Sequence, residues 1–408
     1  MKTEQETQRS SVITAERTLI ETSVVGKIFS GGTVKKIFSA AKRSTSLGAA
    51  ILGISALVLT GCGEAPTPEG EGNGGGGETS AANSDYLGCI VSDSGGFDDR
   101  SFNQSSYEGL TAAQEKLGIE IQQAESQAPT DFEPNLNSMV QSGCNLTVTV
   151  GFLLGDATKA VAADKPEQNF AIVDYNDPEF TDNVKPLIYD TAQAAFLAGY
   201  LAAGMTETGT VATYGGVKIP TVTIFMDGFD AGIEHYNQQN DTDVNLLGWD
   251  RESQEGTFIG DFENQSAGKT NTSNFINEGA DIILPVAGPV GLGTVDAVKE
   301  ANNAGKDASI IWVDSDGYKA VPEAQDLFLT SVMKGISKSV EDVITADVKG
   351  KFSSEPYVGT LDNGGVSIAP YHSFADEVPE ELKSEIEDIK AGIIAGEIDV
   401  QSDASPEQ

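Results

Sequence analysis

The chain has 408 residues, with 62 Asp and Glu against 25 Lys and Arg, a net charge of −37, three Cys and two His. So acidic a surface repels phosphate backbones and excludes nucleic acid as a partner. Two His without a Cys/His cluster leave no material for a zinc site, so neither a metal nor a cofactor is expected.

In chain order, Lys42-Arg43 precede a small and apolar stretch, Leu47 to Val58, closed by Leu59-Thr60-Gly61-Cys62. Basic, then apolar, then small residues before a boundary is the order of an export signal. The apolar run, about 14 residues, is shorter than the roughly 20 a bilayer span needs. Its ending resembles a bacterial lipobox, which implies removal of residues 1–61 and acylation of Cys62, leaving the protein lipid-anchored on the extracytoplasmic face of a cell membrane. The polar extension Met1 to Ala41 exceeds the basic head of such a signal, and a translation start inside it, at Val34, is expected. Residues 62–84, rich in Gly, Pro, Glu and Ser, read as a flexible tether.

From Tyr86 the pattern changes. Leu87 to Ser92, Ile119 to Ala124, Leu146 to Gly151 and Phe170 to Tyr175 read as strands, with helical spacing at Phe102 to Leu117, Phe132 to Gln141 and Asp156 to Ala163. A second series has strands at Val211 to Tyr214, Val244 to Leu247, Ile282 to Val286 and Ile310 to Val313. Its helices are Thr191 to Met205, Thr221 to Gln238, Gln265 to Glu278 and Thr294 to Ala304. Such alternation predicts an α/β protein of two Rossmann-like lobes with parallel sheets, joined by a hinge. Leu327 to Val332 and the helix after it read as a return to the first lobe, and Gly365 to Ile368 as a last strand. The expected lobes are 85–189 plus 331–352 and 190–330 plus 353–374, followed by a C-terminal helix and acidic tail over 375–408. Cys89 and Cys144 fall on strands adjacent in a 2-1-3 sheet; a disulfide and two buried thiols both remain open.

The first strand runs into Ser92-Asp93-Ser94-Gly95-Gly96-Phe97-Asp98-Asp99-Arg100-Ser101-Phe102-Asn103-Gln104. This is a tight βα turn in which Asp99 or Ser101 caps the helix. Asp93 stands at the carboxyl end of the strand, with Phe102 and Asn103 on the opening helical turn, where ligands of such sheets lie.

That stretch, continued by Tyr107-Glu108-Gly109-Leu110, resembles the opening motif of the basic membrane protein family, the purine-nucleoside-binding lipoproteins of ABC importers. Further segments match in order: 170–174, 195–203, 214–216, 227–232, 279–283, the glycine-rich turn from Gly288 to Gly293, Val313-Asp314-Ser315-Asp316, and Leu329 to Lys334. The resemblance implies a type I periplasmic-binding fold that captures a nucleoside, without enzyme chemistry, and delivers it to permease subunits; a monomer is expected. It implies that Phe102 stacks on the base, that Asp93 and Asp174 accept hydrogen bonds from it, and that Gly288 lines the site. The ribose is expected against Lys334 and an acid of the Asp314 and Asp316 pair. Carboxylates suit base N–H and diol donors, and a ring suits a flat π-face. Where relatives place a second aromatic, this chain has Leu284-Pro285-Val286-Ala287, and either an aliphatic wall replaces the ring or Phe225 or Trp249 swings in.

A hydrolase would use Asp93, Asp98 or Asp99 as general base or metal ligand; against it stands the lack of a nucleophile elbow, of a phosphate-cradling loop and of a histidine among the cleft motifs. The same clamshell feeding a membrane sensor is the alternative to import.

Overall fold

A computed structural model describes residues 83–406. The expected signal, Cys62 and nearly all of the tether lie outside the described residues. Among the described residues no helix is long and apolar enough to cross a membrane.

The first half is a βα series: β1 (Leu87–Ser92), α1 (Phe102–Leu117), β2 (Glu120–Glu125), α2 (Phe132–Ser142), β3 (Leu146–Val150), α3 (Gly155–Asp164), β4 (Asn169–Val173) and β5 (Val184–Tyr189). The chain then builds α4 (Thr191–Met205), β6 (Thr210–Gly215), α5 (Pro220–Asn240), β7 (Asn245–Leu247) and a short hairpin of β8 (Trp249–Asp250) and β9 (Glu255–Gly256). It continues with α6 (Gln265–Asn277), β10 (Ile282–Val286), α7 (Gly291–Asn303), β11 (Ser309–Asp314), α8 (Gly317–Ala320) and β12 (Phe328–Lys334). The last elements are α9 (Ile336–Val348), β13 (Tyr357–Gly359), β14 (Val366–Ile368) and α10 (Glu380–Ile394).

Two six-stranded sheets result, ordered β13-β5-β4-β3-β1-β2 and β14-β12-β11-β10-β6-β7. All their pairings are parallel except β12 with β14. The central strands β3, β10 and β11 are buried along their whole length, as expected when helices cover both faces of a sheet. Cys89 and Cys144 are joined by a disulfide between β1 and the start of β3, with Cα atoms 5.9 Å apart.

Two expectations about the lobes are corrected. β12 pairs with β11 and belongs to the second sheet; the return to the first lobe begins with α9, packed on α1. Tyr357–Gly359, expected in the second lobe, pairs with β5 in the first sheet. β5 itself escaped the sequence reading because Pro186, which cannot donate to a ladder, interrupts its pattern.

The chain crosses between the sheets at Asp190, at Gly335 and between Gly359 and Val366. The crossings are tied together: Asp190 N–H donates to Gly359 O and Gly335 N–H to Gly365 O, each at 2.8 Å. In the second lobe α4 and α5 pack backbone to backbone. A Cβ on Gly199 would lie 2.0 Å from Phe229 O, and one on Gly232 would lie 2.0 Å from Phe196 O. This close approach accounts for the small-residue runs at 195–203 and 227–232.

The start of α1 is set by Asp99, whose carboxylate accepts the N–H groups of Ser101, Asn103 and Gln104 at 2.8 to 3.0 Å. Burial pushes this carboxyl up to about 6, against the three hydrogen bonds that favour its charge. A folded-state pKa above the unfolded one contributes stability that is full below about 4 and is lost as pH climbs through about 6. Lowering the pH from 7 to 5 should therefore raise the stability of the protein relative to its Asp99→Asn variant by about 1 kcal/mol in paired denaturant titrations; a constant gap contradicts the assignment. Gly232→Ala should lower stability by about 1–3 kcal/mol through overpacking, read as a shift in denaturation midpoint.

Candidate functional site

The carboxyl ends of the two sheets face each other across a cleft, and each lobe contributes polar groups to it. From the first lobe, β1 delivers Asp93, whose N–H donates to Val150 O at 3.1 Å. Its carboxylate lies against Gly151, where a Cβ would come within 1.9 Å of Oδ2; with φ at +112°, only glycine fits there. Burial, and secondarily the charge of Asp99, hold the Asp93 carboxyl well above the usual carboxylate range. The opening turn of α1 adds Phe102 and Asn103. Asn103 Nδ2 donates to Ser94 O at 3.0 Å, while its Oδ1 is buried without a hydrogen-bond partner.

Asp174 and Asp314 occupy matching places, the first following β4 and the second ending β11, in opposite lobes. Both have left-handed backbones, φ 64° and 65°. Non-glycine residues rarely adopt this conformation, and such strain gathers at functional sites. Lys334 at the end of β12 stands between them. Its ammonium hydrogen-bonds Asp174 Oδ2 and lies 3.6 Å from Asp314 Oδ1. It also lies 4.8 Å from the ring centroid of Phe225 and 5.4 Å from that of Phe102. Burial outweighs the attraction of Lys334 and raises the Asp174 carboxyl above its ordinary value.

Ser101, an alternative helix cap, turns instead to the other lobe. Its hydroxyl lies 2.8 Å from Asp314 Oδ2 and 3.0 Å from Val313 O. Nearby, Arg100 O accepts from Trp312 Nε1 at 3.2 Å and from Ser315 Oγ at 3.0 Å. The βα turn of the first lobe is thereby bonded directly to the second. Asp314 Oδ1 has no hydrogen-bond partner, so it and Asn103 Oδ1 are buried acceptors in one cleft.

Seven of the expected residues line this cleft: Asp93, Phe102, Asn103, Asp174, Gly288, Asp314 and Lys334. Asp316 does not. It hydrogen-bonds His372 Nε2 at 2.9 Å and pairs with Lys319 at 3.0 Å, which turns it away from the cleft and separates the two acids the sequence left equivalent. Trp249 is likewise excluded, because its Nε1 donates to buried Asp227 at 3.0 Å. Phe225 does enter, as do Phe152 and Phe262, which the sequence reading missed. The signal for Phe262 was Gly216: a Cβ there would lie 2.4 Å from the Phe262 ring, so the glycine after β6 is what seats it.

Comparisons with known proteins give the family. The chain is 31% identical to the ABC transporter nucleoside-binding protein BmpA of Lactococcus lactis subsp. cremoris, over 80% of this chain and 92% of that protein. It is 28% identical to basic membrane protein A of Borreliella burgdorferi, over 76% of this chain and 86% of that one. Among solved structures, an ABC transporter solute-binding protein from Aeropyrum pernix K1 superposes with a TM-score of 0.71 at 26% identity, covering 78% of this chain and 94% of that chain. The family model described as Bmp, ABC transporter substrate-binding protein PnrA-like, matches residues 88–404, nearly the whole of the two lobes and their crossings. On that match the chain belongs to the Bmp family of PnrA-like ABC transporter substrate-binding proteins.

Proposed function

We propose that this protein binds a nucleoside, with a purine base, between its lobes and delivers it to the permease subunits of an ABC importer. The observation that carries the reading is the pair of buried acceptors without hydrogen-bond partners, Asn103 Oδ1 and Asp314 Oδ1, the latter 3.6 Å from the Lys334 ammonium, set between aromatic rings of both lobes. A buried acceptor is stabilised by a donor, and a nucleoside offers donors at both of its ends. In this pose the base lies against Phe102, with Asp93 and Asn103 at its edge. The raised Asp93 carboxyl, when protonated, donates as well as accepts, which suits a base edge carrying both kinds of group.

The diol lies against Asp314, with Lys334 beside it. Asp174, expected on the base, is engaged by Lys334 and serves mainly to hold that ammonium. Phe225 and Phe262 replace the missing ring at 284–287, with Val286 and Ala287 completing the wall. The one ammonium that lines the cleft is already paired with Asp174, so a 5′-phosphate finds no unpaired cation there and meets the charge of Asp314. The name of the Lactococcus lactis relative supports the ligand class. The Leu59-Thr60-Gly61-Cys62 boundary supports tethering by acylated Cys62 on the extracytoplasmic face.

Isothermal titration of the protein with adenosine, guanosine, inosine, cytidine, ribose and a nucleoside 5′-monophosphate tests this. A purine nucleoside should bind, and ribose and the monophosphate should give no heat. Asp314→Ala should weaken nucleoside binding by about 1.5–3 kcal/mol, the range for hydrogen bonds to charged groups. Silence with every nucleoside, or an unchanged constant in the variant, refutes the reading.

A further inference from the structure

A second chamber adjoins the cleft. The two share Phe152, Asp174, Thr221 and Lys334 as a common wall, and the second has a cavity volume of about 400 Å³. Its remaining surface is mostly apolar: Tyr175 and Pro178 from the loop after β4, Ile188 from β5, and Ile224 near the start of α5. Ala404 and Pro406 of the C-terminal tail form its outer side. The tail is held there by specific bonds. Ser402 Oγ donates to Asp227 Oδ2, completing the shell of a fully buried carboxylate that Trp249 and Gln254 also bond. Ser405 Oγ donates to Asp190 Oδ1 at 3.1 Å, at the first crossing between the lobes.

We propose that this chamber is an annex of the ligand cleft that accepts an uncharged, largely apolar substituent on the sugar of the bound nucleoside. The inference rests on the nucleoside reading above and adds a substrate class to it. Asp93, Phe102 and Asn103, on the base side of the pose, line the cleft alone, whereas Lys334, on the sugar side, lines both spaces. A group extending from the sugar past Lys334 therefore enters the chamber. An apolar lining with a few polar groups favours such a substituent by removing its surface from water. A charged one is disfavoured: Lys334 is engaged by Asp174, and no other Lys, Arg or His lines the chamber among the described residues.

The test is calorimetry on the full protein with adenosine and guanosine and with their 5′-butylthio-5′-deoxy derivatives. The derivatives should bind within about 5-fold of the parent nucleosides. Ala404→Trp, at a half-buried position on the outer wall, should fill the annex and weaken the derivatives by at least about 20-fold while leaving the parents within about 2-fold. A chain ending at Asp403, which keeps the Ser402 bond to Asp227, should bind the derivatives at least as tightly as the full chain. Parents that bind while the derivatives are lost by about 100-fold or more, or an Ala404→Trp effect equal on both, overturn the annex and leave the nucleoside reading standing. Silence with parents and derivatives alike overturns both.

Discussion

The cleft depends on one ammonium group. Asp93, Asp99, Asp174 and Asp314 are all buried along the same cleft, Asp174 and Asp314 beside the ammonium, and Lys334, itself 6% exposed, is the cation among the residues lining that space. Burying like charges together is unfavourable unless they are neutralised, paired or hydrogen-bonded. This chain uses each remedy at a different residue. Asp99 spends its acceptors on three helix amides, Asp93 has its carboxyl pushed toward the neutral form, and Asp174 takes the Lys334 bond. Asp314 is left with the Ser101 hydroxyl on one oxygen and no hydrogen-bond partner on the other. The acid least provided for by the protein is thus the one best placed to take a ligand's donor.

The position of Lys334 gives this arrangement a mechanical consequence. It ends a strand of the second sheet, immediately before the Gly335 crossing, yet its hydrogen-bond partner belongs to the first lobe. Any opening of the lobes changes the separation of Lys334 from Asp174, of Ser101 from Asp314, and of Arg100 from Trp312 together. The charges that line the cleft are therefore also the charges that bridge the two lobes. Such coupling is what a substrate-binding protein needs if a permease is to distinguish its loaded state, since a ligand shifts a conformational equilibrium only through contacts that differ between the states. The crossings, bonded backbone to backbone at Asp190 with Gly359 and at Gly335 with Gly365, confine the motion to a short waist.

Much of the site was legible because its parts sit at fixed grammatical places in an α/β sequence. Asp93, Asp174 and Asp314 close apolar β-rich runs, and ligands collect at the carboxyl ends of such strands. Phe102 and Asn103 follow a glycine and acid turn into a helix. What failed to show had no local mark. Phe152 and Phe262 look like ordinary core aromatics, and their place in the cleft follows from how the lobes meet. Asp314 and Asp316 are two residues apart and chemically identical, and the backbone reversal between them sends one into the cleft and the other to His372 and Lys319. The tail at 399–406 reads as acidic surface, yet Ser402 completes the shell of a carboxylate 175 residues earlier.

The amino-acid order alone determined the class of fold, the two series of strands and helices, the family, and most of the acids, the ring and the lysine that line the cleft. These are local properties: periodicity, turn chemistry and short colinear motifs are written within a few residues of where they act. Tertiary structure alone decided which sheet received β12 and β13, which of two neighbouring acids lines the cleft, which rings line it with that acid, and that the tail walls a second chamber. Each of these depends on contacts between segments far apart in the chain, and such contacts are set by packing and by the satisfaction of buried charge rather than by any pattern a single segment carries.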